Sequence, residues 1–150
     1  MKNICKFGLF FAMICVSDMV FAMNYETEKP STDEEWNTLL NAISQVESLG
    51  RTNIKTLDVN NHYSYGCLQI QFLYLQDSRL NYTLEDLFDK TISFKVAKAY
   101  LQRYARSYES RTGKTATYEV LARIHNGGPR GAERSCTESY WKKVKVELEK

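Results

Sequence analysis

The chain has 150 residues and a formal net charge of +2 at pH 7, from 20 lysine and arginine residues against 18 aspartate and glutamate residues. This length accommodates one domain with a hydrophobic core. The sequence has no basic block and no stripe of alternating aromatic and basic residues, so it does not indicate nucleic-acid binding. Its histidines and cysteines lack the spacing of zinc ligands, and we expect neither a metal site nor a cofactor.

Residues 1–22 have the pattern of a secretory signal peptide. Two lysines precede an apolar core, and Ala22 ends a candidate cleavage site. Asp18 interrupts the apolar run before the ~20 residues that a membrane span needs. A lipoprotein signal ending at Cys15 is the weaker alternative, because the bulky Ile14 precedes that cysteine. We therefore expect a secreted or periplasmic protein with no stable membrane insertion after cleavage.

The segment that follows is polar and is predicted to form a flexible N-terminal arm over residues 23–31, ahead of one domain over residues 32–150. Ser31 and Thr32 each fit a capping box that opens a first helix, and Gly50 is predicted to close it.

The rest of the chain predicts more helix than strand. Residues 57–64 are typical of a strand, a turn and a second strand, and hence of a hairpin. Residues 81–89 are expected to form a loop with one helical turn. Helices are predicted over residues 67–75, 92–110 and 118–126, with a last helix capped by Thr137. The predicted fold class is therefore α+β, mostly helical, with one small β-hairpin.

Glu47 falls on the apolar face of the first predicted helix, between Leu40 and Ile43 at 3.6 residues per turn. Because burial disfavours a charged carboxylate, a glutamate there is expected to keep its proton near neutral pH and to serve as a general acid. The alternative is that the helix ends at Gly50 and that Glu47 bends out to solvent.

Asp58 offers a second carboxylate in a contrasting setting, a polar hairpin that contains Asn, Thr and Tyr. Cleavage of a glycosidic bond commonly needs one protonated and one ionised carboxyl group, whose environments must differ. Glu47 and Asp58 fit these two roles. The alternative for Asp58 is a side chain that only stabilises the turn.

Cys67 and Cys136 are the two cysteines that remain after the predicted signal peptide is removed. In an exported protein they could form one disulfide that joins distant segments. The alternative is two buried thiols.

Several motifs together resemble the invertebrate-type (destabilase-like) lysozymes, from about residue 40 to residue 145. The most specific is the run Ala-Arg-Ile-His-Asn-Gly-Gly-Pro at residues 122–129. Some elements also resemble the lytic transglycosylases of the same lysozyme-like superfamily, namely Glu47-Ser48 and Gly66-Cys67-Leu68-Gln69-Ile70. The other matching residues are Asp58, Ser64, Tyr74, Asp77, Arg130, Gly131, Thr137, Tyr140 and Trp141.

This resemblance implies a lysozyme-like fold with a substrate cleft between a helical lobe and the hairpin. It implies that Glu47 is the general acid and that Asp58 is the nucleophile or charge stabiliser. It further implies that the substrate is contacted by Ser64, Gln69, Tyr74, His125, Asn126, Gly127 and Tyr140. Each of these contacts has a structural alternative, in which the residues brace the hairpin turn, cap a helix or fill the core.

The sequence departs from the family mainly in its cysteines. Invertebrate-type lysozymes are rich in disulfides, whereas Tyr65 and Ala132 stand here where the family has cysteine. Leu75 replaces a family tryptophan. The fold is therefore expected to depend on core packing, with at most one bridge between Cys67 and Cys136.

The leading function predicted from these features is that of an exported, monomeric muramidase that cuts the β-1,4 bond between N-acetylmuramic acid and N-acetylglucosamine in peptidoglycan. One alternative is a lytic transglycosylase that uses Glu47 alone and yields 1,6-anhydro products. Another is a non-catalytic peptidoglycan-binding module. Candidate partners are peptidoglycan glycan strands and a proteinaceous lysozyme inhibitor.

Overall fold

A computed structural model of the chain describes residues 24–58 and 61–150. The predicted signal peptide lies outside these residues, as do residues 59–60 of the predicted hairpin. In the part of the chain that the structure describes, no helix has both the length and the apolar character needed to cross a membrane.

Helix α1 spans Asp33–Ser48 and begins with the capping box predicted at Thr32. The Thr32 hydroxyl accepts a hydrogen bond from the Glu35 backbone N–H at 3.1 Å, and the Glu35 carboxylate accepts one from the Thr32 N–H at 3.0 Å. The backbone N–H groups of Thr32 and Ser31 both donate to this carboxylate and lower the pKa of Glu35 to about 2. The predicted end is displaced by one residue, because Leu49 rather than Gly50 is the left-handed C-cap, with φ of 56°.

In the described part of the chain, four further helices form the helical lobe with α1. They are α2 Phe72–Ser78, α3 Lys90–Thr112, α4 Tyr118–Gly127 and α5 Glu138–Leu148, with 3-10 turns at Glu85–Phe88, Gly131–Glu133 and Ser135–Thr137. Helix α1 packs against α5, α3 and α4. Its buried face holds Trp36, Leu39, Leu40 and Ile43, as its periodicity predicts. Helices α3 and α4 agree with the predictions to within two residues at each end.

Thr137 is the N-cap residue of α5, as predicted, but its side chain does not cap the helix. Its hydroxyl instead donates to the backbone carbonyls of Gly131 at 2.7 Å and Arg134 at 2.8 Å, and accepts from Arg123 at 3.0 Å. Thr137 therefore ties the two 3-10 turns before α5 to helix α4.

A three-stranded antiparallel sheet stands beside this lobe. Its strands are β1 Lys55–Leu57, β2 Tyr63–Tyr65 and β3 Ile70–Gln71, in the order β1-β2-β3. The predicted hairpin is present, and its strands pair with Thr56 opposite Ser64. The helix predicted over residues 67–75 begins too early, because the chain turns after Gly66 and forms a third strand, and α2 covers only residues 72–75 of the predicted span. An apolar run of this length does not distinguish a strand from a buried helix.

Gly66 fixes the turn between β2 and β3 and the position of the sheet against the helical lobe. Its φ is +69°, and a Cβ atom at this position would lie 1.9 Å from the backbone oxygen of Leu87. The same oxygen accepts a hydrogen bond from the buried Ser93 hydroxyl at 2.6 Å. Only glycine allows this close approach of two backbone segments.

Residues 24–31, predicted to form a flexible arm, pack against the helical lobe. The Tyr25 ring meets the Tyr118 ring edge to face at 5.1 Å, and its hydroxyl donates to the Leu148 carbonyl at 3.2 Å. Lys29 forms an ion pair with Glu109 of α3 at 2.7 Å. These contacts join the start of the described chain to α3, α4 and α5.

Cys67 and Cys136 are both free thiols, so the disulfide considered from the sequence is not formed. Cys67 is fully buried in the turn between β2 and β3, and burial raises the pKa of its thiol. Cys136 is exposed, in the 3-10 turn that precedes α5, so the alternative of two buried thiols is wrong for this residue. Because one thiol faces the core and the other faces solvent, the fold relies on packing rather than on a bridge between them.

Candidate active site

An open cleft of about 630 Å³ lies between the C-terminal turn of α1, the sheet, α2 and the end of α4. It brings together most of the residues singled out in the sequence: Glu47, Ser64, Gln69, Tyr74, His125 and Asn126. The sequence interpretation did not place the other lining residues there: Thr56, Gln71, Leu73, Asp77, Tyr100, Gly128 and Pro129.

Glu47 lies in the last turn of α1, at the wall of this cleft, with its side chain 21% exposed. It is neither enclosed in the core with Ile43 nor turned fully out to solvent. Its Oε1 atom accepts a hydrogen bond from the Tyr140 hydroxyl at 2.7 Å. This contact crosses from α1 to α5, so the packing of these two helices holds the carboxyl group in place.

His125 forms the wall next to Glu47, and its side chain is only 4% exposed. Its Nε2 atom lies 3.1 Å from the Leu68 carbonyl and 3.7 Å from Glu47 Oε1, and its Nδ1 atom lies 3.0 Å from the Tyr74 hydroxyl. Burial lowers the pKa of His125, although the charge of Glu47 and the Leu68 hydrogen bond act in the opposite direction. His125 is therefore neutral near pH 7.

The partners of this ring also define its tautomer. A carbonyl can only accept, so Nε2 of His125 carries the hydrogen and donates to Leu68. Nδ1 must then accept from the Tyr74 hydroxyl. The Tyr74 ring in turn stacks on Tyr100 with centroids 3.5 Å apart. Both ring nitrogens of His125 are thus engaged, and the ring is held rigidly beside Glu47.

The two tyrosine hydroxyls at the site remain protonated. Burial raises the pKa of Tyr74 well above 10, and the neighbouring Tyr100 and Glu47 add to the effect. Burial also raises the pKa of Tyr140, and the charge of Glu47 reinforces the shift. Because both groups keep their protons over the ordinary pH range, both act as hydrogen-bond donors rather than as bases.

Asp58 directly follows β1, on the sheet side of the cleft, with its side chain 31% exposed. Its Oδ1 atom accepts from the His62 backbone N–H at 2.8 Å, and Oδ2 accepts from Gln71 Nε2 at 3.1 Å. Donors directed at both oxygens stabilise the ionised carboxylate. Asp58 is not among the residues that line the cleft wall, but Gln71 links it to that wall.

Gln71 and Ser64 face each other across β2 and β3, as the strand register requires. Gln71 Nε2 donates to the Ser64 hydroxyl at 3.2 Å as well as to Asp58. The role of Gln71 depends on a strand that the sequence did not reveal. Only the alternation of Gln69 and Gln71 on either side of the apolar Ile70 could have indicated a polar face here.

Gln69 lines the cleft but also braces the turn between β2 and β3. It has a left-handed backbone, with φ of 48°, and its Nε2 donates to the Gly66 carbonyl at 2.8 Å. Its Oε1 accepts from the Thr56 hydroxyl of β1. Both ends of this side chain are thus engaged within the sheet, as in the structural alternative considered for this residue.

The end of α4 supplies the wall opposite the sheet. Asn126, Gly128 and Pro129 line the cleft, whereas Gly127 is not among the lining residues. A Cβ atom on Gly127 would lie 2.7 Å from the Thr137 methyl group, so the absence of a side chain there permits close packing. Tyr140 is likewise outside the lining set, and it reaches the site only through Glu47.

Asp77 adds a third carboxylate at the α2 side of the cleft. Its Oδ2 atom accepts from the Tyr104 hydroxyl at 2.6 Å, and its backbone carbonyl accepts from Arg103 at 3.2 Å. These contacts fasten α2 to α3 and identify Asp77 chiefly as a residue that holds the cleft wall. Among the described residues, no group of three or more His, Cys, Asp or Glu side chains is placed to bind a metal ion.

The helical lobe, the small antiparallel sheet and the cleft between them define a lysozyme-like fold, and comparisons with solved structures agree. Tapes japonica lysozyme superposes with a TM-score of 0.64 at 29% identity, over 78% of this chain and 92% of that one. Meretrix lusoria lysozyme, crystallised in complex with PliI of Aeromonas hydrophila, gives a TM-score of 0.64 at 27% identity, over 73% of this chain and 87% of that one.

Sequence comparison identifies the family. The lysozyme of Ostrea edulis is 33% identical over 115 residues, which cover 76% of this chain and 82% of the relative. Invertebrate-type lysozyme 6 of Caenorhabditis elegans is 44% identical over 48 residues, 32% of this chain and 33% of the relative. Lysozyme 1 of Crassostrea virginica is 46% identical over 55 residues, 37% of this chain but only 28% of the relative. No protein-family model matches the chain. The chain belongs to the invertebrate-type lysozyme family.

Proposed function

We propose that the protein is an exported muramidase that hydrolyses the β-1,4 bond between N-acetylmuramic acid and N-acetylglucosamine in peptidoglycan. The observation that carries this proposal is the position of Glu47, in a cleft wall with one oxygen held by the buried Tyr140 hydroxyl. Membership in a family of lysozymes supports the reaction class.

Glu47 is the general acid in this proposal. Because the Tyr140 hydroxyl occupies Oε1, the other oxygen, Oε2, carries the proton that passes to the leaving sugar oxygen. His125 lies 3.7 Å from the carboxyl group with both ring nitrogens engaged elsewhere and, being neutral, does not compete for that proton. The partial burial of Glu47 limits the competition from water.

Asp58 is the ionised partner. Hydrogen bonds from the His62 backbone and from Gln71 keep it charged and orient it from the sheet side. In this position it either attacks the anomeric carbon of the muramic acid ring or stabilises the positive charge that develops there. Ser64, Gln69, Tyr74, Asn126 and neighbouring cleft residues would then position the sugar rings.

The runner-up is a lytic transglycosylase, in which the 6-hydroxyl of the muramic acid replaces water and only Glu47 is needed. One observation favours it: both oxygens of Asp58 are engaged with the hairpin and with Gln71, and Asp58 does not line the cleft wall. The two reactions differ in their products, so this alternative is open to direct test.

The deciding experiment is mass spectrometry of muropeptides after the mature protein has been incubated with purified peptidoglycan. Hydrolysis yields products with free reducing ends, and transglycosylation yields 1,6-anhydro products that are lighter by one water. Intact sacculi that still bind the protein would instead indicate a non-catalytic binding module and would refute the proposal.

Two substitutions assign the roles. Glu47→Gln should reduce the rate by on the order of 10²–10⁴-fold, the usual contribution of a general acid. Asp58→Asn should cost about a hundredfold or more if the reaction is hydrolysis, and little if it is transglycosylation. Glu34→Gln is the matched control, because it makes the same chemical change on an exposed position of the same helix.

The proposal also includes the setting of the enzyme. The predicted signal peptide directs the protein outside the cytoplasm, where peptidoglycan lies, and the mature protein acts as a monomer. Since the lysozyme of Meretrix lusoria binds the protein PliI, a proteinaceous inhibitor is a candidate partner here. Co-purification of the mature protein with immobilised PliI would test that partner.

A further inference from the structure

A second concave surface lies on the sheet side of the cleft, and we call it the sheet groove. It encloses about 430 Å³ and shares two wall residues, Gln71 and Leu73, with the catalytic cleft. The two depressions are therefore neighbours, separated by these two residues. The sheet groove is lined by Asn61, His62, Tyr63, Tyr65, Gln71, Phe72, Leu73 and Leu84.

The side chains of the sheet groove are unusually apolar for a solvent-facing surface. Leu73 is 68% exposed, Phe72 is 58% exposed and Tyr63 is 49% exposed, although each is large enough to be buried in a core. Adjacent exposed side chains of this kind mark a surface that another molecule covers. Because the groove shares wall residues with the cleft, a part of the substrate is the occupant to consider first.

A positive charge stands at the edge of this apolar surface. The Lys55 ammonium lies 4.2 Å from the centre of the Tyr63 ring and 4.8 Å from that of Tyr65. The sheet groove thus combines an apolar floor with a cation, which suits a ligand that carries both methyl groups and carboxylates. A sugar ring, in contrast, needs polar partners for several hydroxyl groups, and apolar side chains predominate here.

We propose that the sheet groove binds the stem peptide of peptidoglycan, an inference that rests on the function proposed above. In that reaction Asp58 faces the muramic acid ring, and the lactyl group of the same ring carries the stem peptide. His62 and Gln71, which hold the two oxygens of Asp58, are also walls of the sheet groove. A stem that leaves the ring at this point passes Gln71 and Leu73 to reach the groove, with its alanine methyls on Phe72 and its carboxylates toward Lys55.

The test compares two substrates that differ only in the stem. One is intact, uncrosslinked peptidoglycan, and the other is the same glycan after an amidase has removed the peptides. The variants are Phe72→Ser and Tyr63→Ser, neither of which lines the catalytic cleft. Val146→Ser is the matched control, because Val146 is 55% exposed but lines neither the groove nor the cleft.

The readout is the ratio of kcat/KM on intact glycan to kcat/KM on stripped glycan. We expect wild-type protein to prefer the intact substrate and Phe72→Ser to lower the ratio about tenfold, the effect of losing one aromatic contact at a binding surface. Val146→Ser should leave the ratio unchanged. Thermal unfolding of each variant verifies that it is folded.

Two outcomes would overturn the inference. A ratio that Phe72→Ser and Tyr63→Ser leave at the wild-type value would mean that the stem does not reach the groove. An equal loss on both substrates would mean that the groove holds a sugar ring instead.

Failure of the proposed function gives a different pattern, in which wild-type protein cleaves neither substrate. Calorimetric titration with a disaccharide that carries its stem peptide, and with the same disaccharide without it, then decides. If wild-type protein binds the stem-bearing form more tightly and Phe72→Ser removes this difference, the stem binds in the sheet groove. Equal binding of the two forms by wild-type protein refutes the inference.

Discussion

The hydrogen bond from Tyr140 to Glu47 can be tested with Tyr140→Phe, which removes one hydroxyl and keeps the ring. The bond is 2.7 Å long, and Tyr140 is only 8% exposed. A hydrogen bond to a charged group contributes about 1.5–3 kcal/mol. Because the Glu47 side chain is 21% exposed, water replaces part of this bond. We therefore expect Tyr140→Phe to raise the activation free energy by about 1.5 kcal/mol, near the lower end of this range. This corresponds to a roughly tenfold lower rate.

The effect should appear in kcat rather than in KM, because Tyr140 reaches the site through Glu47 and does not line the cleft. A hydroxyl that donates to a carboxyl group stabilises the ionised form more than the protonated form. Because a general acid becomes ionised as it gives up its proton, the loss of this donor should slow that step.

The assay measures kcat and KM on purified peptidoglycan. Tyr108→Phe is the control, because it removes the hydroxyl of a partly buried tyrosine that lies outside the cleft wall. If Tyr140→Phe retains the wild-type kcat while Glu47→Gln is inactive, the hydroxyl does not position the acid. The account of Tyr140 given above would then be wrong.

Three further predictions follow from burial and backbone geometry. Burial lowers the pKa of His125 from 6.5 in the folded protein. As the pH falls below 6.5, the unfolded chain therefore binds a proton that the folded protein does not yet bind. Between about pH 7 and pH 5, the free energy of unfolding measured in urea should therefore fall more steeply with pH in wild type than in His125→Gln. The two slopes should differ by at most about 1.4 kcal/mol per pH unit, and equal slopes would contradict this prediction. Gly66 and Gly113 have φ of +69° and +67°, but only Gly66 has backbone atoms where a Cβ would lie. In urea unfolding, alanine should lower the free energy of unfolding by about 1–2 kcal/mol at Gly113 and by several-fold more at Gly66. Similar losses at the two positions would show that the backbone around Gly66 moves to accommodate the Cβ atom. A thiol reagent should label Cys136 in the native protein and Cys67 only after denaturation, and a reductant should leave the Tm unchanged; a lower Tm would reveal a disulfide.

Features set by neighbouring residues could be predicted from the sequence. The start of α1 depends on Thr32 and Glu35, three positions apart, and their reciprocal hydrogen bonds are present. Asp89 likewise caps α3, accepting from the backbone of Thr91 at 2.7 Å. Helical periodicity placed Glu47 on the inner face at the end of its helix. Each of these interactions lies within about one helical turn, where backbone geometry fixes the distance.

The third strand could not be predicted, because two residues are too few to show a strand pattern in the sequence. Ile70 and Gln71 form a strand only through their pairing with Tyr65 and Ser64. The apolar residues that precede α2 fit a helix equally well until the turn at Gly66 is known. The contacts of Gln71 with Asp58 and Ser64 therefore depend on a register that the sequence does not reveal.

The sequence by itself determined helices α1, α3, α4 and α5, the hairpin, the family resemblance and the two carboxylates that the proposed reaction requires. Only the tertiary structure decided what surrounds them. Tyr140 lies 93 positions from Glu47 in the chain, and His125 lies 57 positions from Leu68, yet each pair is in hydrogen-bond contact. Such contacts exist because α1, α4 and α5 pack together and bury the intervening side chains. Local propensity acts over a few residues, whereas the burial that neutralises His125 and holds the Glu47 carboxyl group in place is a property of the assembled core.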